Sequence, residues 1–407
     1  MEGLVLGLDL CESYTQVSCL KDDKTWTVPT VICREKDSEN WHIGEDAYAH
    51  VLMGDGVIVD KLLKLNSRQG TATIGGVRYH AIALLEQFLR KVLEIPQQEY
   101  GITGIRQLVI TLQQIDTGLM DVLRACAGKL GLEDKQIRII GHTESFVYYI
   151  LSQKKEVWNN QVGLFDLSKD GLRYYELKVN RGLKRMTVVA EQEALEEGFN
   201  LDILKSASGV KLADKILCSC GERLMQKKLY SGVFLTGKGF ETQEWAADFM
   251  QFICNKRRVY ADMDLFSKGA AYKAEDYIRE KTAYPFTCIC EGHLNTTVSM
   301  EVVRGGKEIP LTLASAGDNW FESSAAVEVI PDAEKDIEFT VTPLDVRKRK
   351  VIRIPLEGFP KRPPRTTRIR VEVSFLDERT MQVVLKDRGF GELFPATEYQ
   401  VRQEVML

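Results

Sequence analysis

No apolar run in these 407 residues approaches the ~20 that a bilayer-spanning helix needs, which argues against a membrane protein. The opening Met1-Glu2-Gly3 lacks the basic residues of a secretory leader, so a cytoplasmic protein is expected. Neither sign of charge dominates. Lys and Arg total 54 against 58 Asp and Glu, and the formal net charge of -4 gives no global pull toward nucleic acid or anionic lipid. Cysteines are few and odd in number, nine scattered along the chain, which argues against a disulfide framework and for a reducing compartment. Their close pairs, Cys218-Ser-Cys220 and Cys288-Ile-Cys290, have a one-residue gap unlike the usual zinc knuckle, so buried, inert thiols are expected. Proline is also scarce, and four of the 11 (Pro355, Pro360, Pro363 and Pro364) crowd one stretch, where they mark strand edges or loops.

Two short segments are near copies. Val5-Leu6-Gly7-Leu8-Asp9-Leu10 and Val162-Gly163-Leu164-Phe165-Asp166-Leu167 are apolar runs of strand length, each carrying one carboxylate to a turn. A strand, an aspartate and a turn, used twice, is how a two-lobed fold can grip a phosphate tail and its magnesium from both sides. Glycines normally line such turns so that backbone amides reach the oxygens, and here they are mostly missing. The first turn reads Cys11-Glu12-Ser13-Tyr14 and the second Ser168-Lys169-Asp170-Gly171.

The first copy opens a meander of three strands, 4–10, 16–20 and 25–33. Helical spacing follows over 46–65 and 81–93, the latter with Leu84, Leu85, Phe88, Leu89 and Val92 on one face. A buried strand at 108–112, a helix striped by Leu119, Val122, Leu123 and Cys126, and a strand at 137–140 complete a parallel α/β unit. After the second copy the meander recurs, with strands at 172–179 and 183–190. A helix near 210–228 leads to the strand Val233-Phe234-Leu235-Thr236, the glycine turn Gly237-Lys238-Gly239, and a helix beginning near Thr242. Ser267 to Tyr272 opens a further helix with small residues. From about Pro285 only β patterning remains. In 366–376, Ile369, Val371, Val373 and Phe375 alternate with Arg368, Arg370, Glu372 and Ser374, with strands at 351–356 and 381–385 expected to flank it. At this length two or three domains are expected.

In order, these pieces resemble the actin-like ATPase superfamily, and within it the DnaK family of seventy-kilodalton heat-shock chaperones. Gly7-Leu-Asp-Leu10 is similar to the family's first phosphate strand, Val28-Pro-Thr-Val31 with Ile43-Gly-Glu-Asp-Ala47 to its proline strand and following helix, and Leu108-Val-Ile-Thr-Leu112 with Ala127-Gly-Lys-Leu-Gly131 to its connecting segment. Asp166-Leu167 stands where the second phosphate loop begins, Leu235-Thr-Gly-Lys-Gly239 resembles the adenosine motif, and Lys268-Gly-Ala-Ala271 the helix after it. Ile354 to Pro360, Val371 to Phe375 and Val384 to Gly389 resemble the family's peptide-binding β-sandwich.

The resemblance implies an α/β fold of duplicated actin-like (ribonuclease H-like) lobes, 1–155 and 156–284, the second with a reduced upper subdomain, then an antiparallel β-sandwich over 285–407. It further implies catalytic roles for Asp9, Lys61, His142 and Asp166 if the protein is active, His142 standing where the family has its water-orienting glutamate and Glu144 following two residues later. Asp9 and Asp166 would hold magnesium, and Ser13, Lys169, Gly171, Gly237, Lys238 and Gly239 would contact ATP or ADP. The chain departs from the family at Cys11 and Glu12, where an amide and no charge should meet phosphate, and at Ser168, Lys169 and Arg173, the last replacing an acid. The expectation is therefore a pseudo-ATPase that binds a protein or peptide client through its β-domain, with no bound nucleotide if the site is degenerate. The alternatives are a working ATPase chaperone and an anion or nucleic-acid binder using the basic residues between Arg347 and Arg370.

Overall fold

Strand β1 (Leu4–Leu10) is buried on both sides, and its alternation explains how. Leu4, Leu6, Leu8 and Leu10 fill one face, while Gly7 and Asp9 share the other with Val5. The computed structural model describes residues 3–36, 38–181, 186–331 and 335–407. The chain divides into two compact units, residues 1–286 and 287–407. Among the described residues no helix is long and apolar enough to cross a membrane.

In the first unit β1 is followed by β2 (Tyr14–Cys19), β3 (Lys24–Pro29), β4 (Ile32–Glu35), β5 (Trp41–Ile43), α1 (Gly44–Met53), β6 (Gly56–Val59), α2 (Leu62–Ser67), β7 (Thr71–Ile74), β8 (Val77–His80), α3 (Ala81–Tyr100), β9 (Ile105–Leu112), α4 (Thr117–Lys129), β10 (Ile137–Gly141) and α5 (His142–Ser152). Next come β11 (Gln161–Ser168), β12 (Gly171–Arg181), β13 (Met186–Ala194), α6 (Ala207–Met225), β14 (Tyr230–Thr236), α7 (Ala247–Cys254), β15 (Arg258–Ala261) and α8 (Leu265–Tyr277).

Two sheets repeat one plan. In the first, β1, β2 and β3 form an antiparallel meander, and β9 and β10 extend the other side in parallel, giving the order β10-β9-β1-β2-β3. In the second, β11, β12 and β13 form the meander, and β14 and β15 add in parallel, so that β15-β14-β11-β12-β13 run in that order within it. The register repeats too. Asp9 lies beside Thr111, and Asp166 beside Thr236. Helices α5 and α8 follow β10 and β15 respectively and pack on each other. Glycine permits the close approach. A Cβ at Gly7 would lie 2.2 Å from the α8 backbone at Ala271 N and Ser267 O, and one at Gly269 would lie 2.1 Å from Ser145 O of α5.

Three expected elements come out differently here, and the start of a fourth lies outside the described residues. The strand expected over 25–33 ends at Pro29, and Ile32–Glu35 joins a separate three-stranded sheet with β5 and β6. The helix expected over 46–65 is broken by Gly54, which takes φ 81 as the cap of α1, and β-branched Val57, Ile58 and Val59 then continue as strand. The helix expected near Thr242 begins at Ala247, after a short 3-10 turn at Lys238–Phe240. Leu183, the expected start of the third strand in the second meander, lies outside the described residues.

The second unit is antiparallel throughout. After β16 (Phe286–Ile289), which straddles the division, it comprises β17 (Thr296–Arg304), β18 (Lys307–Ala314), β19 (Ser324–Val329), β20 (Asp336–Pro343), β21 (Lys350–Pro355), β22 (Ile369–Phe375), β23 (Thr380–Asp387) and β24 (Gln400–Met406). Its two four-stranded sheets, β18-β17-β20-β21 and β19-β22-β23-β24, share one apolar core that includes Val298, Phe339, Ile354, Val371 and Leu385. The alternation of 366–376 is reproduced in β22, with Ile369, Val371, Val373 and Phe375 buried. The segment 351–356 does not flank it: β21 pairs with β20 in the other sheet, and the neighbours of β22 are β19 and β23.

Candidate functional site

Asp9 sits one residue from the end of β1, on the face that Gly7 opens toward α8, and it is fully buried. His142, the first residue of α5, is equally buried, and its Nε2 lies 2.7 Å from Asp9 Oδ1. The imidazole stacks on Phe266 of α8 at 3.8 Å between centroids and 12° between planes, and its Nδ1 lies 3.5 Å from the Tyr175 hydroxyl of β12. The Tyr14 hydroxyl donates to Asp9 Oδ2 at 3.2 Å. The Cys11 thiol donates to Oδ1 at 3.5 Å and lies 3.9 Å from His142 Nε2. Both carboxylate oxygens of Asp9 are therefore engaged by the chain's own side chains. Burial first, and the Asp9 charge second, push the Cys11 thiol and the Tyr14 phenol well above their ordinary values, so both remain neutral near pH 7.

Asp166 is the counterpart on β11. Burial pushes its carboxyl up from 3.8 to about 7; the Asp9 charge adds to this, while His142 and Arg173 oppose it. Its Oδ1 has no hydrogen-bond partner among the described residues, nor does Nε of Arg173, its cross-strand neighbour on β12. Gly237 closes over this carboxyl. It takes φ 87, and a Cβ there would meet Asp166 Oδ1 at 2.6 Å and Leu167 O at 2.5 Å. A Cβ at Gly239 would meet the Leu167 side chain at 2.4 Å, and Gly239 O accepts the Trp245 indole N–H at 2.9 Å. The small residues of this turn are accounted for by packing on β11.

The remaining sequence candidates fall around this cluster. Ser13 Oγ donates to Asp170 Oδ2 at 3.3 Å, so the two turns touch at their mouths. Lys61 is exposed at φ 55 ahead of α2 and makes no hydrogen bond to Asp9 among the described residues. Lys169 and Lys238 are exposed as well. Lys169, Gly171 and Arg173 line, with Gly198, Phe199 and Asn200, a cavity of about 330 Å³ beside the second turn. Glu12 turns away: its Oε2 accepts the Lys64 amide of α2 at 3.0 Å, and burial raises its carboxyl. Glu144 forms a largely buried pair with Lys273, 3.2 Å apart, between α5 and α8.

The structure thus brings Asp9, His142 and Asp166 together and leaves the lysines outside. Sequence reasoning missed Tyr14, Tyr175 and Phe266, which complete the cluster. Tyr14 stood in the first turn without being given a role, and the alternation of β12 would have put Tyr175 on the Arg173 face.

The chain belongs to a family of unknown function, DUF5716, whose C-terminal model matches residues 13–291. A domain of unknown function, DUF8552, matches residues 293–407. No curated protein matches the chain.

Proposed function

We propose that this protein is a chaperone-like pseudo-ATPase: an actin-like, duplicated-lobe scaffold with a degenerate nucleotide site, acting as a protein- or peptide-binding module through its β-domain. The repeated strand order and the paired positions of Asp9 and Asp166 support the actin-like reading. One observation carries the loss of nucleotide chemistry. Asp9, which would hold magnesium, is fully buried, with its oxygens taken by His142, Tyr14 and Cys11. A magnesium ion keeps several waters and tolerates little distortion of its octahedron, so an aspartate enclosed by an imidazole and a phenol offers it no approach. The lysines that would balance phosphate charge lie outside the cluster.

For the β-domain, the supporting feature is a recess of about 420 Å³ whose walls include Pro331, Leu356, Phe359, Pro360 and Ile369, an apolar lining suited to an extended peptide. The basic residues that suggested nucleic acid are largely matched by acids: Arg349 with Glu301, Arg353 with Glu338, Arg368 with Glu328, and Arg370 with Glu372. Calorimetric titration of the full chain with ATP and magnesium tests the proposal. No binding heat at millimolar nucleotide is expected, whereas micromolar binding with phosphate release would establish the working ATPase instead.

A further inference from the structure

The strand β16 and the turn after it gather three soft or borderline donors in one place. Cys288 lies on β16 and Cys290 at the bend just after it, and their two thiols come together. Gly292 then takes φ 87, the His293 amide returns to Cys290 O at 3.0 Å, and the imidazole is delivered to the thiols. The Sγ atoms are 3.6 Å apart and Cys290 Sγ is 3.2 Å from His293 Nδ1. All three side chains are buried, and their donor atoms lie within 4.8 Å of one another.

A disulfide would need about 2.05 Å between the sulfurs, so this pair is not bridged. A tetrahedral zinc, with Zn–S of about 2.3 Å and Zn–N of about 2.0 Å, spaces its sulfurs by ~3.8 Å and a sulfur from a nitrogen by ~3.5 Å. The observed separations are within a few tenths of an ångström of both. Two thiolates and an imidazole select a soft or borderline cation and disfavour magnesium and calcium, which require oxygen.

The turn is also held from outside. Trp320 N donates to Gly292 O at 3.0 Å, Leu294 N to Asp318 O at 2.9 Å, and the Glu378 carboxylate accepts the Gly292 amide. A Cβ at Gly317, which takes φ 95, would lie 2.7 Å from the Thr287 side chain, so the covering loop is fitted closely to the strand.

We propose that Cys288, Cys290 and His293 form a zinc site, binding through two thiolates and Nδ1 with the fourth position left to solvent or a further ligand. Binding releases the two thiol protons to water, with no change of oxidation state. The site spans the seam between the two family matches, since His293 is the first residue of the second. It is independent of the nucleotide question.

The test is titration of the reduced, metal-stripped full chain with cobalt(II) and then zinc. Expected are one cobalt per chain with a thiolate-to-cobalt charge-transfer band, displacement by one equivalent of zinc, and zinc protection of Cys288 and Cys290 alone among the nine cysteines against alkylation. The protection map is read on the native sequence, so it does not depend on a variant folding. The Cys288→Ser/Cys290→Ser double variant should lose the band, and Cys218→Ser/Cys220→Ser should keep it. His293→Gln should weaken zinc binding by more than the ~10-fold that loss of an outer-shell partner costs. Absence of stoichiometric metal, or protection falling on other cysteines, would overturn the assignment.

Discussion

At the scale of single residues, Asp166 is the most informative group because its burial is incompletely compensated. Its carboxyl is raised from 3.8 to about 7, so between those values the folded chain holds a proton that the unfolded chain has released. Stability conferred by this group therefore falls as pH rises from about 4 to about 7 and is constant above. The gap corresponds to roughly 4 kcal/mol, an upper figure given the Arg173 guanidinium alongside. Asp166→Asn should remove that slope and stabilise the protein at pH 8 while changing little at pH 4. Denaturant midpoints at the two pH values check this, and a variant less stable at pH 8 would mean the carboxylate is ionised and well paired. Little of this was legible in the sequence. Asp9, Asp166 and His142 were found as positions, but their meeting depends on β1, α5 and β11 converging, and the aromatic residues that enclose them come from strands and a helix far apart in the chain.

At the scale of elements, local patterning located most strands and helices, and each misassignment has a local physical cause. Periodicity over 46–65 is compatible with a helix throughout, yet Gly54 in the left-handed region ends it, and the β-branched triplet that follows pairs with β4. Pro29 likewise stops β3, because the strand continuing from it belongs to another sheet. Glycine within helices reads ambiguously from sequence alone, and two positions here separate its meanings. Gly269 lies where α8 meets the α5 backbone, and a Cβ there would be 2.1 Å from Ser145 O; Gly128 on α4 has nothing within 4 Å. Gly269→Ala should destabilise by about 3 kcal/mol, since neither backbone can yield cheaply. Gly128→Ala should stabilise by about 0.5–1 kcal/mol through helix propensity alone. Thermal unfolding of the two variants distinguishes these cases, and equal effects would mean that α5 and α8 do not approach as closely as described.

At the scale of the whole molecule, the second unit has its own core and its own polar anchor, so residues 287–407 should fold without the first. Its apolar cluster draws on both four-stranded sheets, enough for an independent domain of this size. The anchor is Asp387, fully buried. Arg362 donates to both its oxygens, at 2.6 and 2.7 Å, and the Gly389 and Thr397 amides and the Thr397 hydroxyl complete its coordination. Burial alone would raise this carboxyl, but Arg362 and the amides outweigh it and hold the group well below the usual carboxylate range. The sign is opposite to that of Asp166: stability from Asp387 is complete above the unfolded value near 3.8 and is lost as pH falls below it. Arg362→Leu, which strands the carboxylate, should cost about 3–5 kcal/mol at pH 7 and noticeably less at pH 2.5, where protonating the unpaired acid relieves it. A dispersed NMR spectrum and cooperative melting of the 287–407 fragment establish the folding, and the pH dependence of the variant's midpoint tests the anchor. A fragment that stays unfolded would mean that the second unit needs the rest of the chain to fold, and the proposed peptide binding would then have to be tested on the intact chain.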